Sequence, residues 1–169
     1  MTISNSSAIQ LKPSETSSKD DFDFLLGSWV IYNEKLKSRL TGSNEWLEFQ
    51  ATGTMRKLLH GLGNIDDFIA EFNGVPFEGM SLRLFNPQTK LWNIYWSDTN
   101  SGTLEKPVSG SFKNGYGNFF ARDVFGGIDI LVQFKWDVTN PEKPIWSQAF
   151  SADDGKTWEW NWYMRFHKQ

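Results

Sequence analysis

Hydrophobic and polar residues alternate along most of this chain with a period of two. The longest run lies near its end, where Trp158, Trp160, Trp162, Met164 and Phe166 share one parity and Glu159, Asn161, Tyr163, Arg165 and His167 share the other. Successive side chains of a strand point to opposite faces, so the alternation predicts one long strand with a broad aromatic face. Helical spacing would scatter the same tryptophans around a cylinder. Trp29-Val30-Ile31-Tyr32 opens the first strand, and further strands are predicted over 45–60, 66–73, 78–86, 90–98, 103–112, 116–125, 128–137, 144–151 and 156–167. The reversals fall at Asn73-Gly74, Asn86-Pro87, Asn114-Gly115, Gly126-Gly127 and Asp154-Gly155, pairs that tolerate turn dihedrals.

No long stretch after residue 30 has helical periodicity, so a doubly wound α/β fold is not expected. About ten short antiparallel strands in one small domain make a sandwich or a closed barrel. Closure removes exposed edges, and a barrel of roughly 8–10 strands can hold one small ligand. The expected fold is therefore all-β, an up-and-down antiparallel barrel. A short helical turn precedes it at Asp21–Gly27, with Asp21 as its cap. Residues 1–20 are rich in Ser, Lys and Asp and poor in large apolar side chains, so they are expected to form a disordered tail ahead of a barrel domain over 21–169.

Composition sharpens this picture. Nine tryptophans and fourteen phenylalanines in 169 residues point to an aromatic core or an aromatic-lined cavity. A net charge of −3 gives no electrostatic footprint for nucleic acid. The absence of cysteine excludes disulfides and thiolate metal sites. Met1–Ser7 has neither the basic nor the apolar region of a secretory signal, and no apolar run is long enough to span a bilayer, so a cytoplasmic protein without a membrane partner is expected. His60 and His167 are the only histidines, too few for a multi-histidine metal centre, and no cofactor is expected.

Three segments carry a resemblance. Phe22-x-Phe24-Leu25-x-Gly27-x-Trp29 and Ser151-Ala152-Asp153-Asp154-Gly155-Lys156-Thr157-Trp158 bracket Leu84-Phe85-Asn86-Pro87-Gln88-Thr89-Lys90-Leu91-Trp92. Together they resemble a bacterial domain-of-unknown-function family with a lipocalin-like barrel of the calycin superfamily. The resemblance implies an apolar cavity and no established reaction. It also implies that Trp29 of the first strand is covered by a basic residue of the last strand, here Arg165, to close the base of the barrel.

Phase marks out the candidate ligand contacts. Trp92, Ile94 and Trp96 share a parity, as do Ile128, Ile130, Val132, Phe134 and Trp136, and Trp146 pairs with Phe150. Polar residues in phase with apolar faces are the sharper signal, because burying them unpaired is costly. Asp98 follows Trp96, and Gln148 lies between Trp146 and Phe150. The expected ligand-binding set is thus Trp96, Asp98, Trp146, Gln148, Trp158, Trp160 and Trp162, holding a small apolar or aromatic molecule. Asp98 also reads as a turn residue and Gln148 as a backbone or water partner. Arg56, Glu71, Arg83 and Arg122 read as solvated outer-face charges, and Asp66-Asp67 and Asp153-Asp154 as turn carboxylates. The rival readings are a cofactor-free lyase or isomerase using Glu71, Arg83 and Tyr95, and an interaction domain with a filled lumen. A homodimer is left open.

Overall fold

The computed structural model describes residues 9–169; the first eight residues of the expected tail lie outside it. Ten antiparallel strands form a closed up-and-down barrel. They are β1 (Gly27–Leu36), β2 (Trp46–Leu58), β3 (Gly63–Phe72), β4 (Val75–Asn86), β5 (Leu91–Asp98), β6 (Val108–Lys113), β7 (Tyr116–Phe125), β8 (Ile128–Asp137), β9 (Ile145–Ser151) and β10 (Glu159–Lys168). Each strand pairs with its neighbour in sequence, and β1 pairs with β10, from Trp29 opposite Lys168 to Lys35 opposite Trp162, to close the ring. The hairpin turns are where the Asn-Gly and Gly-Gly pairs place them. Asn73, Gly74, Asn114, Gly115, Gly126 and Gly127 all have positive φ, as a two-residue primed turn requires.

One end of the barrel is plugged. A 3-10 turn at Asp23–Leu25 carries Phe22, 1 % exposed, into the base, edge-on to Trp92 (centroids 4.9 Å apart) and Phe112 (5.0 Å). Asp21 does not cap this turn. Its Oδ2 instead accepts from the Ser18 N–H and the Trp92 indole N–H. The stretch ahead of the plug, read from composition as without contacts, docks in part. Ser14 donates to the Phe112 carbonyl, Ser17 to the Lys90 carbonyl, and Trp92 Nε1 to the Ser18 carbonyl.

Trp29 is 2 % exposed, and its Nε1 donates to the Leu25 carbonyl at 2.7 Å. The cation over its ring is Lys168, with Nζ 4.4 Å from the centroid and donating to the Leu26 carbonyl. Arg165, expected in this role, stands on the outer face and pairs with Glu34. The parity of β10 explains the exchange: Met164 and Phe166 point inward, so Arg165 points out.

A bulge interrupts β10. Trp160 pairs with Ala149 and Trp162 with Gln148, which leaves Asn161 as the extra residue. A bulge puts two residues against one and re-aims the chain. Asn161 is fully buried on the inner side and accepts from Gln148 Nε2 at 2.9 Å. Trp162 follows it inward, while Trp160 is turned out over Lys135.

The β9–β10 connection is tied by Asp153. Its carboxylate accepts from Thr157 Oγ1 (2.6 Å), the Thr157 N–H (2.9 Å) and Ser151 Oγ (2.8 Å). These bonds, the Thr157 hydroxyl first, hold the carboxyl down at about 2 from an ordinary 3.8. A carboxyl lowered by folding adds stability above its unfolded value, and that stability is lost as pH falls through the folded value. Asp153→Asn is therefore expected to flatten the acid limb of stability between about pH 4 and 2, read from thermal midpoints across that range. An unchanged acid limb would show that these bonds do not stabilise the native state.

Candidate functional site

The inward faces of the strands enclose a cavity of about 430 Å³. Its wall is mostly apolar, with Ile31, Phe68, Ile94, Val132, Phe134 and Trp146 in the middle and Trp136 and Phe166 toward the plugged end. Edge-to-face contacts hold the aromatic wall rigid: Trp146 sits 5.6 Å from Trp162 and 4.9 Å from Phe134. Gly79 makes room for the Trp96 ring, since a Cβ there would lie 2.3 Å from it. A second hollow of about 310 Å³ lies beside the first, among Phe49, Phe72 and Phe77, and the two share Lys35, Phe68, Asn100 and Trp162.

Five of the seven expected contacts reach the cavity wall: Trp96, Asp98, Trp146, Gln148 and Trp162. Asp98 is both a cavity residue and a turn residue. Its Oδ2 accepts from Trp96 Nε1 at 3.0 Å, and its Oδ1 accepts from the Asn100 N–H. Trp158 and Trp160 do not reach the wall, because they precede the bulge and keep the outward phase. Trp158 packs on Phe120, whose neighbours Phe119 and Ala121 are the buried ones.

The polar groups inside are mostly ones that parity alone did not single out. Arg83 is 4 % exposed, with Nη2 2.8 Å from Asp66 Oδ2, Nη1 donating to Asn64 Oδ1 at 3.0 Å, and its guanidinium carbon 5.1 Å above the Phe22 ring. Arg83 is thus a buried cation and Asp66 an inward strand carboxylate, not the outer charge and turn residue that were expected. Glu71 is exposed and Tyr95 faces away from the cavity that its neighbours Ile94 and Trp96 line, so Glu71, Arg83 and Tyr95 do not converge. Arg122 pairs with Asp154. Arg56 and both histidines are exposed. Higher up, Asn33 is 2 % exposed and accepts from Trp162 Nε1 at 2.9 Å.

The mouth mixes charges. Lys35 places Nζ 4.0 Å over the Trp162 ring, and Arg39 lies 4.5 Å over Phe125 and 5.3 Å over Phe150. Desolvation, then the nearby Arg39, pushes the Lys35 amine down to about 8. Folding lowers that value below 10.5, so ionised Lys35 opposes folding below about pH 8, and the penalty is relieved as pH rises from there to 10.5. Glu105 on the rim is held above the usual carboxylate range, first by desolvation and then by Asp98 and Asp123. Among the described residues no group of three or more His, Asp or Glu could hold a metal ion, and no helix is long and apolar enough to cross a membrane.

Neither a protein-family model nor a curated protein matches the chain. The ten-strand barrel is compatible with a lipocalin-like fold.

Proposed function

We propose that this barrel binds a small, mostly apolar molecule with a flat body, taken in through the charged mouth and held against the indoles of Trp96, Trp146 and Trp162. The observation that carries the reading is the cavity of about 430 Å³, a size that suits one small ligand, with an aromatic and aliphatic wall interrupted by a few polar and charged groups. Asp98 and Gln148 supply the orienting polar groups. The buried aromatics do not exhaust the lumen, which disfavours a filled interaction domain. Mid-strand charges on the outer face, among them Glu34, Glu48, Arg56 and Arg165, support a barrel surrounded by water, since a lipid-facing barrel needs an apolar band there. We place it in the cytoplasm, with residues 21–169 as the barrel domain.

A flat apolar fluorophore tests this. It should bind saturably and quench tryptophan emission. Trp162→Ala should weaken it by about 1–3 kcal/mol, the worth of one well-buried aromatic contact. Trp160→Ala should leave the affinity unchanged, because that ring is on the outside. Binding that is absent, or equally sensitive to both substitutions, would defeat the reading.

A further inference from the structure

The geometry points to Lys35 as a covalent anchor: an apolar aldehyde in this cavity is held as an imine on its Nζ. The inference rests on the ligand-binding reading above and names the ligand class. Lys35 faces inward from β1 at the junction of the two hollows, where the wall is shared with Phe68, Asn100 and Trp162. Its Nζ lies 4.0 Å over the Trp162 ring, and among the described residues it makes no hydrogen bond and no ion pair within 4.0 Å. Other lysines are engaged differently: Lys168 donates to the Leu26 carbonyl, and Lys57 pairs with Asp23 at 2.7 Å. What sets Lys35 apart is its place: it stands at the junction of both hollows with Nζ over the Trp162 ring, and its neutral form gives up no hydrogen bond to protein.

The charges facing Lys35 come from three elements. Arg39 stands on the β1–β2 connection, Asp98 on β5 and Glu105 on the β5–β6 connection, while Lys106 and Asp123 line the same cavity further out. Arg39 disfavours the ammonium and desolvation does so more, which leaves a substantial neutral fraction near pH 8. The neutral Nζ adds its electron pair to the carbonyl carbon, and the carbonyl oxygen takes up a proton. The nitrogen loses a proton to give a neutral carbinolamine. Loss of that oxygen as water, assisted by a second proton, then leaves C=N–H⁺. The protons are exchanged with water at the mouth, and Asp98 and Glu105, the carboxylates facing Lys35, suit the counter-ions of the iminium.

The test uses 2-naphthaldehyde as probe and 2-naphthalenemethanol as its non-carbonyl control. The full chain is incubated with the aldehyde at pH 8, reduced with cyanoborohydride and read by intact mass and peptide mapping. One adduct per chain, on Lys35, is expected, formed on the order of tenfold faster than on surface lysines and falling off below pH 7. Lys35→Arg should lose the adduct while keeping the circular dichroism spectrum of the parent. If the alcohol binds saturably but trapping spreads over surface lysines, the imine is overturned and the binding reading stands. If neither compound binds, both are overturned.

Discussion

Replacing Arg83 by Met is expected to lower the unfolding free energy by about 3–5 kcal/mol at pH 7, the loss seen when one partner of a buried ion pair is removed. The guanidinium serves three neighbours at once. It faces the Asp66 carboxylate at 2.8 Å, donates to Asn64 Oδ1 and caps the Phe22 ring. Without it Asp66, only 14 % exposed, keeps the Ser81 N–H and no cation. The cost is therefore that of stranding a charge and not the net worth of the pair, so Arg83→Met with Asp66→Asn should destabilise much less than the sum of the single changes. Urea unfolding followed by tryptophan emission measures both. A single-variant loss below about 1 kcal/mol, or additivity of the two changes, would mean that the pair is hydrated and energetically idle. Arg83→Lys should not restore stability, because an ammonium cannot span two fixed acceptors as a planar fork does.

Phe22→Ala should cost about 3–5 kcal/mol, the loss of a large buried aromatic plus the cavity it leaves. The ring contacts Trp92, Phe112 and Phe119 and carries Arg83 on its face, so its removal unseats the plug from several strands. Phe22→Leu should recover a good part of the loss. The effect should not add to that of Arg83→Met, since the two side chains touch. A Phe22→Ala protein as stable as the parent would show that the 3-10 turn is dispensable to closure.

The architecture was legible because period-two alternation and two-residue turns are local. Val108, Phe112 and Trp136 alternate as a strand should, and Asn114-Gly115 can hardly be anything but a primed turn. The lumen side of β5, β8 and β9 followed from parity alone, which is why Trp96, Asp98, Trp146 and Gln148 stand on the cavity wall where parity put them. Parity failed on β10, because the bulge at Asn161 inserts a residue that no local signal announces, and everything before it turns to the other face. Charged residues failed for a different reason. Taken alone, a strand Arg or Asp belongs in water, and Arg83 and Asp66 face inward only because each finds the other on the neighbouring strand. Lys35 and Glu105 are far apart in sequence and meet only once the ring has closed.

That closure carries a kinetic consequence. The seam joins Gly27–Leu36 to Glu159–Lys168, so the pairing that completes the barrel spans almost the whole chain. A hairpin such as β7–β8 can zip as soon as its turn forms, whereas the seam must wait until β10 has left the ribosome. The loop-closure entropy of that contact is met before any packing offsets it, which places this protein among slow folders, on a timescale of roughly milliseconds to seconds. Until then β1 and the unfinished sheet each present an open edge, and the nascent protein is at its most prone to pair with a second copy of itself.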